Sequence, residues 1–256
     1  QRDMDTSIAR LSSGKRITRA HDDAAGQAIA GRMESQIRGL TMAVRTAKDG
    51  QSLVDTQEGA LQEITGMLQR MRELAVQAAS GTAKTADKNY LQIENKALLQ
   101  EIFAVGVNTK FNDTAVLTGT QFSFYTDIDV AGTAVQTVAV QMNAAGLAIA
   151  TATVSIGNLR TAALIKSTIS NIDDAIAVVA NKRASLGAVS NRFDHIVDNL
   201  TNVIANTESA KSRIEDADFA IETTALTRNT VLQQAATSMV AQANAQKNSI
   251  LALIQS

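Results

Sequence analysis

Cysteine, proline and tryptophan are all absent from these 256 residues, and aromatic side chains make up only 3% of them. Without cysteine there is no disulfide, no thiolate nucleophile and no zinc–thiolate centre. Such a chain can work outside the cell without an oxidative folding step. Without proline nothing interrupts a long helix. Apolar residues reach 45% although aromatics are scarce, so packing falls to alanine and the aliphatics. That suits close helix–helix contact better than a deep ligand pocket. A net charge of −1 gives no electrostatic case for nucleic acid or an anionic membrane as partner. No window reaches the run of about eighteen apolar residues expected of a membrane-inserted helix. The chain opens at Gln1 inside an amphipathic pattern, with neither an initiator methionine nor a signal peptide, and reads as a fragment of a longer protein.

What is present is organised around Leu164 to Ile214. Apolar residues recur there at Ile165, Ile169, Ile172, Ile176 and Val179, then at Leu186, Phe193, Val197, Leu200 and Ile204. Steps of three and four place side chains on one helical face. A second stripe at Val189, Ile196 and Val203 widens that face enough to touch two neighbours. The spacing predicts one helix roughly 75 Å long, too long for the middle of a compact enzyme.

A matching helix is predicted nearer the start. Met33, Leu40, Ala47, Val54, Leu61, Leu68 and Ala75 fall seven apart, with Ala43, Ile64, Met71 and Ala78 three residues on. A heptad held this long predicts coiled-coil packing, with Gly50 and Gln57 as weak points of the second row. Leu61, Ile64, Leu68 and Met71 are expected against Phe193, Val197 and Leu200. Ahead of this helix, Met4, Ile8 and Leu11 mark a short helix that breaks at Ser12-Ser13-Gly14, and Asp22 and Asp23 read as N-caps. Gly81 is expected to end the long helix in a left-handed cap. A shorter helix follows from about Thr85 to Val105, with Leu91, Leu98 and Ile102 inward. Between Asn108 and Asn158 charge nearly vanishes. Phe122, Phe124, Ile128 and Val130, then Val135, Val138, Val140 and Met142 across Ala131-Gly132, predict a β-hairpin.

The C-terminal stretch is unusual in its surface. From Glu222 to Ser256 it carries only Glu222, Arg228 and Lys247 as charges. Ile221, Ala225, Leu232, Ala235, Met239, Ala243, Ile250 and Leu253 step by three and four, and the other faces hold Gln, Asn, Thr, Ser and Ala. Such a helix expects protein contacts all round, and alone in water it should be weakly ordered.

Enzyme chemistry is not encoded in any recognisable spacing, and no catalytic, cofactor or metal residue is assigned. His21 and His195 lack a ligand spacing and accompanying acid–base partners, and read as solvated or capping residues. Glu215, Asp216 and Asp218 suit capping and dipole compensation better than a metal. One ridge is more informative: Arg70, Leu74 and Gln77 stand at i, i+4 and i+7 beside the heptad seam. Its plainer reading is a solvated face with an apolar margin.

Several segments resemble bacterial flagellins. They are Ile8-Ala-Arg-Leu-Ser-Ser-Gly-Lys-Arg-Ile17, His21-Asp-Asp-Ala-Ala-Gly-Gln-Ala-Ile29 and Gln69-Arg-Met-Arg-Glu-Leu-Ala-Val-Gln77 in the first half. In the second half they are Ser185-Leu-Gly-Ala-Val-Ser-Asn-Arg-Phe193, Ser212-Arg-Ile-Glu-Asp-Ala-Asp218 and Leu232-Gln-Gln-Ala-Ala236. The likeness covers residues 1–112 and 160–256; Lys15 and His21 depart from its usual Leu and Lys. It implies a mainly α fold, a long coiled-coil bundle with a small β-hairpin region at one end. Residues 1–36 would connect, 37–110 and 161–214 form the helical shaft, 111–160 the outer segment and 215–256 the filament-core helix. The implied function is a self-assembling subunit of the motility filament, secreted and extracellular. A non-polymerising surface adhesin or a hook–filament junction protein is the alternative. Implied partners are copies of the same chain, an export chaperone, a filament cap and an innate immune receptor. By motif position the receptor would meet Arg70, Leu74 and Glu94, with Gln77 on the same ridge. Ile221, Leu232, Met239, Ile250 and Leu253 would drive assembly.

Overall fold

The computed structural model describes residues 2–126, 134–141, 159 and 161–254, with side chains described as far as residue 246. Ile128, Val130, Ala131, Gly132 and Met142 of the expected hairpin lie outside these, as do the side chains of Ile250 and Leu253. Among the described residues there are five helices: α1 (Arg2–Ser13), α2 (Ala24–Ala79), α3 (Thr85–Asn108), α4 (Ala162–Glu215) and α5 (Phe219–Ile254). The described residues between α3 and α4 include four two-residue strands: β1 (Lys110–Phe111), β2 (Thr114–Ala115), β3 (Ser123–Phe124) and β4 (Val135–Gln136). The chain divides into two compact units, Gln1–Arg38 with Val203–Ser256, and Gly39–Asn202.

In the Gly39–Asn202 unit both heptad rows of α2 are buried. Ala47, Val54, Leu61, Leu68 and Ala75 form one, and Ala43, Ile64, Met71 and Ala78 the other. On α4, Ile165, Thr168, Ile172, Ala175, Val179, Leu186 and Phe193 are buried at steps of three, four and seven. The predicted faces are therefore the packed faces in this unit, whereas Val203, expected in the second stripe, is exposed. Their axial alignment is not the predicted one. Ion pairs and hydrogen bonds join Gln51 to Asp194 at 2.8 Å, Glu58 to Arg183 at 2.7 Å and Arg72 to Asp173 at 2.6 Å. These rungs run antiparallel. Leu61 to Met71 thus lie level with residues 173–183, and Phe193 sits at Gly50. A heptad fixes which face is buried, whereas sliding by one heptad keeps the same face and changes every partner.

The two weak points of the row are where other parts plug in. A Cβ on Gly50 would stand 2.6 Å from Phe193 Cζ, so the absent side chain makes room for the ring. Phe124 of β3 meets that ring edge-on, centroids 5.9 Å apart at 85°. Gln57 is fully buried and donates its Nε2–H to Val116 O at 2.7 Å, tying α2 to the segment after β2. The pairing Phe124↔Val135 places β3 antiparallel to β4, in accord with the expected hairpin. A second hairpin, β1–β2, was not anticipated; Asn112 and Asp113 turn it with φ of 48° and 62°, both left-handed as a two-residue type I′ turn requires.

Two capping expectations need correction. α2 ends at Ala79, but Gly81 is not left-handed; Ala83 N–H instead closes a turn onto Ser80 O at 3.1 Å. Asp22 does not cap α2. Its Oδ2 accepts from the N–H groups of Thr18 and Arg19 and from the Thr18 hydroxyl, and these bonds, Arg19 foremost, hold its carboxyl below the usual range. Asp23 does cap, accepting from Gly26 N–H at 2.9 Å.

Candidate assembly surfaces

The unit made of residues 1–38 and 203–256 carries the first surface. Gly14, with φ of 69°, turns the chain after α1, and its carbonyl accepts from Ala217 N–H at 3.0 Å. Lys15 pairs with Asp216 as an antiparallel bridge, and Lys15 Nζ reaches Glu215 at 2.6 Å. Asp218 Oδ1 caps α5, accepting from Ala220 N–H at 2.8 Å. The Glu215, Asp216, Asp218 cluster is thus occupied by pairing and capping; Asp216 takes the Ser212 hydroxyl. α1 then lies antiparallel along the start of α5, locked by Arg10 to Glu222 at 2.9 Å, with Ser7 and Glu222 buried. Beneath them Lys211 and Arg38 converge on Glu34 and hold its carboxyl down at about 2, the Lys211 hydrogen bond contributing most.

Beyond this contact α5 is bare as far as its side chains are described. Every residue from 231 to 246 is exposed. Ile221 is 66%, Leu232 59% and Met239 68% exposed. Their spacing of eleven and seven residues aligns them on one face, since eleven residues make about three helical turns and seven about two. Large apolar side chains aligned in water are expected where a partner covers them. Among the described residues no helix is long and apolar enough to cross a membrane.

The second surface lies in the Gly39–Asn202 unit. Arg70 Nε and Nη2 both approach Glu94 Oε1 at 2.9 Å, and Arg70 Nη1 reaches Glu73 at 3.0 Å. These carboxylates, Glu94 first, raise the Arg70 pKa further. The structure thus brings Arg70 and Glu94 together across two helices, and Gln77 is exposed beside them. Leu74 is the exception. It is 1% exposed and belongs to the core, not to the ridge. The Arg70–Glu94 pair joins α3 to this side of α2. Tyr90 and Ile93 of α3, 71% and 68% exposed, supply apolar surface there instead. Sequence spacing on α2 could not show them; their signal was an outward pair at i, i+3 on α3.

His21 is exposed with Nε2 at 3.1 Å from Asp22, and His195 is exposed on α4. Among the described residues no group of three or more His, Cys, Asp or Glu is placed to hold a metal.

Comparison with known proteins agrees with this helical arrangement. Residues 1–122 match the bacterial flagellin N-terminal helical region, and residues 169–254 the C-terminal helical region. Flagellins of Halalkalibacterium halodurans and Bacillus subtilis are each 38% identical over 97% of this chain, covering 90% and 91% of their own lengths. The chain belongs to the bacterial flagellin family. Flagellins are structural subunits of the flagellar filament, and that is the function of this chain. Flagellin FlaB2 of Treponema pallidum is 36% identical over 97% of the chain and 91% of its own length. The crystal structure of Bacillus cereus flagellin superposes with a TM-score of 0.54 at 31% identity, over 61% of this chain and 88% of that one. A putative flagellar hook-associated protein from Vibrio parahaemolyticus shares the fold at 13% identity, with a TM-score of 0.66 over 76% of this chain and all of that one. Nothing in these likenesses favours a non-polymerising adhesin or a junction protein over the filament subunit.

Proposed function

We propose that this flagellin enters its filament by burying the outer face of α5 against copies of itself, with residues 37–110 and 161–214 as the shaft and 111–160 as the outer segment. The observation that supports this reading is the run of Ile221, Leu232 and Met239, all exposed on a helix with few charges. Covering such side chains contributes about 1.5–3 kcal/mol each, a gain that association with copies would supply. Ile250 and Leu253 are proposed to extend the same face. The role is structural, with no cofactor or catalysis, and the subunit acts outside the cell. Purified full-length protein should form filaments above a critical concentration, followed by light scattering and electron microscopy. Persistent monomers at every concentration would contradict the reading.

A second contact surface is proposed at Arg70, Glu94 and Gln77; the ion pair between Arg70 and Glu94 and the exposure of Gln77 support it. An innate immune receptor would meet it on free subunits. Arg70→Ala should weaken receptor-ectodomain binding by about 2 kcal/mol at equal helicity, as interface arginines are frequent hot spots. Equal affinity would return the patch to a solvated face. An export chaperone and a filament cap are proposed on family membership alone.

A further inference from the structure

The exposed stripe of α5 contains one charge. Arg228 stands seven residues after Ile221 and four before Leu232, so it lies on the same face as Ile221, Leu232 and Met239. It is exposed, and it has no hydrogen-bond or ion-pair partner among the described residues. Glu222, the other charge at this end of α5, is already taken by Arg10. If the stripe is covered, the guanidinium is covered with it. A guanidinium cannot shed its charge, and enclosing it without a carboxylate is strongly unfavourable.

The same unit offers that carboxylate on another helix. Asp3 and Asp5 on α1 are exposed and without a partner among the described residues. The Arg10–Glu222 pair fixes their height. Going away from it, Asp5 and Asp3 lie about 8–11 Å along α1, and Arg228 about 9 Å along the antiparallel α5. The opposite charges therefore stand level, on separate helices. Within the chain they do not meet; a neighbouring copy packed side by side at the same level would join them.

We infer that Arg228 on α5 pairs with Asp3 and Asp5 on α1 of a second copy, and that this pair selects which faces of two subunits meet. Two different faces of one subunit then complement each other, which is a heterologous interface. Repetition of such a contact yields an open polymer unless the rotation closes. Two copies placed stripe to stripe, parallel and at the same level, would set Arg228 against Arg228, so the charge also disfavours that dimer. This rests on the proposed burial of the α5 face in the filament.

The test uses the full chain and a wild-type control run beside each variant, so that failure of wild type to polymerise counts against the burial reading itself. With wild type assembling, R228E should raise the critical concentration by about tenfold or more, and D3R/D5R should do the same, as like charges meet at a contact. Circular dichroism should show unchanged helicity for R228E, an exposed substitution. The combined R228E/D3R/D5R chain should return to within about threefold of wild type as the charge pair is restored with reversed sign. Wild-type-like assembly of R228E would overturn the inference. So would recovery by R228E/E208R in place of the α1 variant, since Glu208 is the other exposed carboxylate of this unit without a partner among the described residues.

Discussion

Gly50 and Gly59 sit on the same helix and make opposite demands. A methyl added at Gly50 meets the Phe193 ring, and one added at Gly59 meets nothing within 4 Å. Alanine gains about 1 kcal/mol over glycine inside a helix, while overpacking a filled core costs about 1–3 kcal/mol. Gly59→Ala should therefore stabilise the chain and Gly50→Ala destabilise it, as read from urea midpoints; the same sign for both would refute the notch at Gly50. Leu68 and Leu74 are 0% and 1% exposed. Each should cost about 2–5 kcal/mol on replacement by alanine. For Leu74 this replaces any expectation that the leucine fills a partner's pocket. A Leu74→Ala loss below half a kcal/mol, measured by the same denaturation, would contradict its burial. At this scale the sequence was informative about periodic positions and silent about the exceptions. Gly50 and Gln57 break the apolar row because their neighbours, Phe193 and Val116 O, come from distant segments that no local pattern reveals.

Among the elements, the helices were legible because 3.6-residue periodicity and the lack of proline leave few alternatives. Alignment between α2 and α4 was not legible, since it depends on which cross-helix pairs close. The β1–β2 hairpin was missed because two-residue strands are too short to show alternation; Asn112-Asp113 was its one local sign. Glu34 joins α2 to α4 through Lys211 and carries a pKa of about 2 against an ordinary 4.5. A carboxyl depressed on folding stabilises above its unfolded value and loses that contribution as pH falls toward the folded one. The melting-temperature gap between wild type and Glu34→Gln should thus be full above pH 4.5 and close as pH drops to about 2. A gap unchanged over that window would show that Glu34 is not held by Lys211 in solution. α5 is separable in a different sense. Removing residues 221–256 should leave the melting of the Gly39–Asn202 unit nearly unchanged, because none of its buried residues comes from α5, and should abolish polymerisation. Filaments formed by the shortened chain would exclude α5 as the assembly element.

For the whole molecule, the lack of charge on the C-terminal helix was the feature that pointed from sequence to function, and its exposed apolar face in the structure agrees with it. The patch around Arg70 was only half legible. The resemblance singled out Arg70 and Glu94, but neither their ion pair nor the burial of Leu74 was legible in the spacing on α2. The central claim is that the outer face of α5 is open in the subunit and covered in the filament. Hydrogen exchange resolved to peptides across residues 219–246 measures this directly in both states. Amides of an unsupported helix open locally at small cost, so they should exchange fast in the monomer. In the filament the same peptides should become strongly protected, while the buried α2 heptad around Leu61 to Met71 stays slow in both. Equally fast exchange of α5 in monomer and filament would contradict the account.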